Sequence, residues 1–105
     1  MTKPLRLDVE AAEELDDAGR WYEARRANLG IEFLLAVRDA FARIEADPQA
    51  WPLARQVPAR LQSRVRSCLL RRFPYAVVYV ELDHEIRVLA LAHGSREPGY
   101  WRHRL

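Results

Sequence analysis

The spacing of hydrophobic positions changes along this chain, and the change divides it. From Asp8 to about Ala27, Val9, Ala12, Leu15, Gly19 and Tyr22 return every three or four residues, with Trp21 alongside. Acidic residues early and arginines late fill the other side, the pattern of an amphipathic helix. Asp8 is the predicted N-cap, and Glu10 sits in the first turn, where a carboxylate suits the helix dipole. Asn28 and Gly30 punctuate. The stretch IEFLLAVRDAFARIEADP then repeats Phe33, Leu34, Val37, Phe41 and Ile44 at helical spacing until Pro48 stops it. So short a connection predicts an antiparallel helical hairpin over about residues 8–47.

Residues 48–63 hold three prolines and no period, so they are read as a loop, with Trp51 tucked at the core edge and Pro52 and Pro58 holding it extended. Thereafter the period is two. Val65 to Phe73, Tyr75 to Leu82 and Glu85 to His93 read as strands, turning at Phe73-Pro74 and Asp83-His84. The middle one, YAVVYVEL, is apolar on both faces, as suits a strand with neighbours on both sides. PLRL at 4–7 is a further short strand. The predicted fold class is α+β: a short N-terminal strand, then a helical hairpin packed on one face of a mainly antiparallel sheet of three or four strands (about 64–93). A tail, 94–105, follows. The simplest closure is all-antiparallel, with the strand after the hairpin running opposite to the first. The first strand's neighbour is left open. Phe33, Leu34, Val37, Phe41, Ile44, Val78 and Val80 are the expected core between hairpin and sheet.

At 105 residues the chain fits one domain, 1–105. It lacks an apolar run of about 20 residues for a membrane helix, and its start has no apolar signal-peptide core. A cytoplasmic protein is expected, with no membrane partner. The lone Cys68 reads as a small core residue. The net charge of +2 hides an asymmetry. Residues 1–47 carry seven cations against eleven carboxylates, a net of −4, and residues 48–105 carry ten arginines against four carboxylates, a net of +6. The basic half points to an anionic partner. Sixteen arginines stand beside one lysine, and arginine is the better bidentate phosphate binder.

Strand alternation assigns the faces. Arg64, Arg66, Cys68, Leu70 and Arg72 share one, and Val65, Ser67, Leu69, Arg71 and Phe73 the other. In the last strand Arg87, Leu89, Leu91 and His93 share a face opposite Ile86, Val88, Ala90 and Ala92. Because the hairpin covers one face, the open face is expected to carry an arginine row, with His93 and the basic, aromatic tail at its end. His93 has three readings: a structural histidine, a general acid or base, or a contact to phosphate, base or protein. Tyr100 and Trp101 read as hydrophobic pins or as a stacking platform. The expected arrangement has Pro98-Gly99-Tyr100-Trp101 folded back on the sheet, leaving His93 and Arg96 at the rim. His84, His93 and His103 lack metal-ligand spacing, and there is no nucleotide-binding glycine motif. No metal or cofactor is expected.

Four stretches resemble the RelE/ParE superfamily of type II toxin–antitoxin toxins across essentially the whole chain. They are DVEAAEEL, GIEFLLAVRDAFARIEADP with the following Trp51-Pro52, RSCLLRRFPYAVVYVELDHEIRVLALAH, and HGSREPGYW. The wording is closer to the ParE side, whose members are DNA gyrase inhibitors rather than enzymes and include plasmid stabilisation proteins. The resemblance then implies a growth-inhibitory toxin, with Arg64, Arg71, Arg96, Trp101 and Arg102 as candidate target or nucleic-acid contacts. It also implies a cognate antitoxin with an acidic, apolar wrapping segment covering the open sheet face or the groove beside the hairpin. A homodimer or toxin–antitoxin hetero-oligomer is compatible with this. The alternative is a RelE-like ribosome-dependent mRNA endoribonuclease. For that, the resemblance maps Arg66, Arg72, His93 and Tyr100 as catalytic, although the lysine pair of RelE-like members is absent. A third reading is a non-toxic interaction module on the same fold.

Overall fold

The computed structural model describes residues 3–55, 57, 59–61 and 64–105. The elements in chain order are β1 (Leu5–Leu7), α1 (Val9–Arg25), α2 (Leu29–Ala46), β2 (Val65–Leu69), β3 (Tyr75–Glu81) and β4 (Ile86–His93). Short 3-10 turns lie at Ala59–Leu61 and Tyr100–Arg104. The α+β class, the hairpin and the three-strand meander are as expected. The role expected of Pro58 lies outside the described residues.

The sheet order is β1-β4-β3-β2. β2, β3 and β4 are antiparallel neighbours, but β1 pairs parallel with β4, Leu5 opposite Ile86. The all-antiparallel closure is therefore wrong, and β2 runs in the same direction as β1. The connection after α2 supplies the missing reversal. Leu53 bridges antiparallel to Arg66, with Ala54 N–H on Val65 O and Ser67 N–H on Pro52 O, so this segment runs back along the edge of β2 before the chain turns into it.

Two apolar clusters sandwich the sheet. Beneath the hairpin lie Ala11, Ala18, Phe33, Val37, Ala40 and Ile44, packed with Cys68, Val77, Tyr79, Ile86, Val88 and Leu91. On the opposite face Val65, Val78, Val80, Leu89 and Ala90 are covered by Val57 and Trp101. Val78 and Val80 thus leave the expected hairpin-side core. A central strand apolar on both faces needs a cover on each, and in-plane neighbours supply neither. The tail supplies the second, so the open arginine face does not form. Leu34 is also outside the core, 42 % exposed, while Phe41 packs half-buried against it. In α1 the inward face is Ala11 and Ala18, with Leu15 and Tyr22 beside them, whereas Val9 is 74 % exposed.

Caps also differ from expectation. Asp8 makes no side-chain cap; its carboxylate pairs with Arg87. Gly30 lies inside α2 rather than before it. The N-terminus of α2 is capped by Glu23, whose Oε2 accepts from Asn28 N–H and Oε1 from Gly30 N–H, each at 3.0 Å. These two orphan amides would otherwise face the helix start unpaired.

Candidate functional site

The decisive local feature is a bulge in β4. Val78 pairs with Ala90 and Tyr79 with Val88, leaving Leu89 without a partner. Leu89 and Ala90 consequently both face the tail side, and Leu91 returns to the hairpin side. An extra residue shifts a period-two pattern by one place. The expected grouping of Arg87, Leu89, Leu91 and His93 is therefore broken: Leu91 and His93 turn toward the helices.

There they meet a cleft of about 610 Å³ between α1, the β2–β3 turn and the start of the tail. Its walls are aromatic. Tyr75 stands opposite His93 in register, and their rings meet edge to face at 4.9 Å. Tyr22 lies 6.3 Å from Tyr75, and Trp21 meets Tyr22 edge to face at 5.0 Å. Burial pushes the hydroxyls of Tyr22 and Tyr75 above the ordinary phenol range. The turn after β4 fixes the histidine. Ser95 N–H donates to His93 Nδ1 at 3.0 Å, so in the neutral ring the proton sits on Nε2. Arg96 stacks its guanidinium 3.8 Å from the Tyr100 ring centroid and joins the cleft wall.

Behind the cleft the tail is latched to α1. β1 pairs with β4 only as far as Val88. Beyond it, the exposed edge of β4 is completed by side chains. Glu14 Oε1 accepts from Leu91 N–H at 3.1 Å, and Arg104 Nη1 donates to Leu89 O at 2.9 Å. Arg104 also donates to both oxygens of Glu14, at 2.8 and 3.2 Å, and Tyr100 Oη donates to Glu14 Oε2 at 2.6 Å. Arg104 Nε lies 3.2 Å from Glu10 Oε2 without hydrogen-bond alignment. Burial, then the bond to Glu14, pushes the Tyr100 hydroxyl well above the usual phenol range.

Of the residues mapped for RNA cleavage, three are held by the scaffold, and Arg66 stands well along the sheet from His93. Arg66 donates to Trp51 O at 2.7 Å and sits beside Tyr79, the partner of Val88. Val88 precedes His93 by five residues, roughly 16 Å along a strand. Arg72, held at a left-handed φ of 71° in the β2–β3 turn, donates to Glu32 on α2. Tyr100 is bound to Glu14. Of the proposed target contacts, Arg71 lies 3.7 Å from Asp39, Arg64 and Arg102 are exposed, and Arg96 is exposed at the cleft. Trp101 is 4 % exposed and packs in the tail-side core, the place expected of a hydrophobic pin. Glu14 and Arg104 were not picked out by sequence. The available signal was Glu10 and Glu14, like charges one helical turn apart with no local cation, which require one from elsewhere. Burial raises the Cys68 thiol pKa and fits its core role. Among the described residues there is no cluster of three or more metal-type ligands, and no helix long and apolar enough to cross a membrane.

A helical hairpin on a mixed four-stranded sheet, with β1 beside β4, is the RelE/ParE toxin architecture. Residues 5–98 match the family model described as ParE toxin of the type II toxin–antitoxin system, parDE, and the chain belongs to that family. Among solved structures it is similar to a chain of the chromosomal ParDE toxin–antitoxin system from P. aeruginosa. Identity is 22 %, the TM-score 0.63, and the match covers 88 % of this chain and 96 % of that one. No curated protein matches the sequence. The latch residues Tyr100, Trp101 and Arg104 lie past the matched span.

Proposed function

We propose that this ParE-family chain is a growth-inhibitory toxin that poisons DNA gyrase by binding it, and that a cognate antitoxin holds it inactive. The observation favouring binding over RNA cleavage is that Arg66, Arg72 and Tyr100 are each engaged by the scaffold, with Arg66 well along the sheet from His93. A 2′-hydroxyl attack needs base, acid and cations around one phosphate. Here two of the four bond to separate parts of the scaffold, and Tyr100 donates its proton to Glu14. The antitoxin has an apolar site available. A groove of about 340 Å³ runs between α1 and α2 past Leu15, Gly19, Ile31 and Leu34, and Ile31 and Leu35 beside it are more than half exposed. Apolar anchors on an amphipathic segment fit such a groove.

Expression without the antitoxin, followed by separate readouts of translation and of the DNA-damage response, tests this reading. Growth arrest with induced DNA damage, and loss of supercoiling by purified gyrase, is the expected result. Arrest with cleaved mRNA and intact gyrase activity would support the endoribonuclease. Unimpaired growth would leave the interaction module.

A further inference from the structure

We propose that the cleft at the end of β4 binds a mononucleotide, its base between the aromatic walls and its phosphate against His93 and Arg96. This site is separate from the antitoxin groove and does not depend on the gyrase assignment. Four residues lining the cleft carry polar groups with no hydrogen-bond partner among the described residues: the hydroxyls of Tyr22 and Tyr75, Nε2 of His93, and the guanidinium of Arg96, which stacks on Tyr100. All four can donate, the requirement of an anion site. Trp21, Tyr22 and Tyr75 line the cleft with aromatic rings set edge to face, Trp21 at 90° to Tyr22 and Tyr22 at 65° to Tyr75, so that a base can lie against one ring and meet the edge of the next. Asp17, on the same wall, can accept the N–H groups of a base edge. The neighbouring Glu14 is already neutralised by Arg104. The volume falls within the usual range for small-ligand sites, about 300–1,000 Å³.

Charge placement selects a single nucleotide over a longer polyanion. Glu10, Glu13, Asp16 and Asp17 lie exposed along α1. An acidic peptide or an extended strand carries charge at every unit and would meet these carboxylates. A mononucleotide carries its charge at one end only, where Arg96 and His93 stand.

Trp21 is an internal reporter. It is 53 % exposed at the cleft, whereas Trp101 is buried on the other face and Trp51 is half-buried behind α2. The full chain is titrated with GMP, AMP, inorganic phosphate and a thymidine oligonucleotide, and followed by tryptophan emission and by calorimetry. The expected result is saturable quenching by a nucleotide, with weaker binding of phosphate and of the oligonucleotide. Trp21→Phe should remove most of the quenching while calorimetry still detects binding. Arg96→Ala and His93→Gln should each weaken binding about tenfold, the worth of one charge-assisted hydrogen bond, with unchanged circular dichroism. No saturable binding of either nucleotide overturns the proposal. So does equal affinity in the Arg96→Ala variant, or tighter binding of the oligonucleotide than of the mononucleotides.

Discussion

Glu14 closes the edge of β4, accepts the tyrosine of the tail and neutralises Arg104, whose side chain is 7 % exposed. Removing one partner of so enclosed a pair leaves the other charge without compensation. Glu14→Ala should therefore destabilise the fold by about 3–5 kcal/mol, the usual cost of breaking a buried pair. Arg104→Ala should also destabilise, and the double variant should lose clearly less than the sum of the two. Urea midpoints of the three variants measure this, and strict additivity would mean that the pair does not act as a unit. At this scale the sequence was legible where one side chain decides its own fate. Trp101 buries because its ring is large and apolar. Glu14 and Arg104 were not, because each is an ordinary charge until a partner 90 positions away is known.

Between elements, packing turns on small residues. A Cβ built on Gly30 would lie 2.8 Å from the backbone oxygen of Gly19 and 3.0 Å from the Glu23 carboxylate that caps α2, whereas one on Gly19 meets nothing nearer than 3.9 Å. Gly30→Ala is expected to cost about 1–3 kcal/mol as overpacking. Gly19→Ala should be neutral or stabilising, since alanine is the better helix former. Thermal unfolding of the two variants tests the contrast, and equal responses would mean that the helices adjust freely. This close approach also explains why the phase of α1 was misread. Its inward face uses Ala11 and Ala18, while a ranking by hydrophobicity favours Val9. In α2 periodicity placed Phe33, Val37 and Ile44 correctly, but Leu34 is exposed and the small Ala40 is buried.

Over the whole molecule, some of the opposite charges of the two halves meet each other. Arg71 pairs with Asp39, Arg72 with Glu32, Arg87 with Asp8, Arg104 with Glu10 and Glu14, and Lys3 with Glu81. The asymmetry that pointed to an anionic partner is therefore in part an internal joint, leaving Arg55, Arg60, Arg64, Arg66, Arg96 and Arg102 without ion pairs among the described residues. The joint has a pH signature. The bond from His103 holds the Glu10 carboxyl below its ordinary value of 4.5, that from Arg72 does so for Glu32, and that from Lys3 for Glu81. A carboxyl whose folded pKa is depressed binds more protons when unfolded, so stability rises with pH through this window. The contribution is complete above about pH 4.5 and is lost as pH falls through the lowered folded values. Urea midpoints measured from pH 6 down to pH 3 should show this acid loss, about the usual range for carboxylate titration. It should be shallower in Glu32→Gln. An unchanged slope would remove Glu32 from the joint.

The unpaired Leu89 in β4 has a consequence for how such chains can diverge. Every residue after it stands one number further along than strict alternation would place it. A deletion of the Leu89 codon would set Ala90 opposite Val78 directly after the Val88–Tyr79 pair, restoring strict alternation while Leu91 and His93 stay on the helix side and Ala92 on the tail side. The cleft would keep its histidine, and the tail-side core would lose only the Leu89 side chain. Related chains with and without the extra residue would thus hold the histidine on the same side, and an ungapped alignment through the strand would set it against the wrong position.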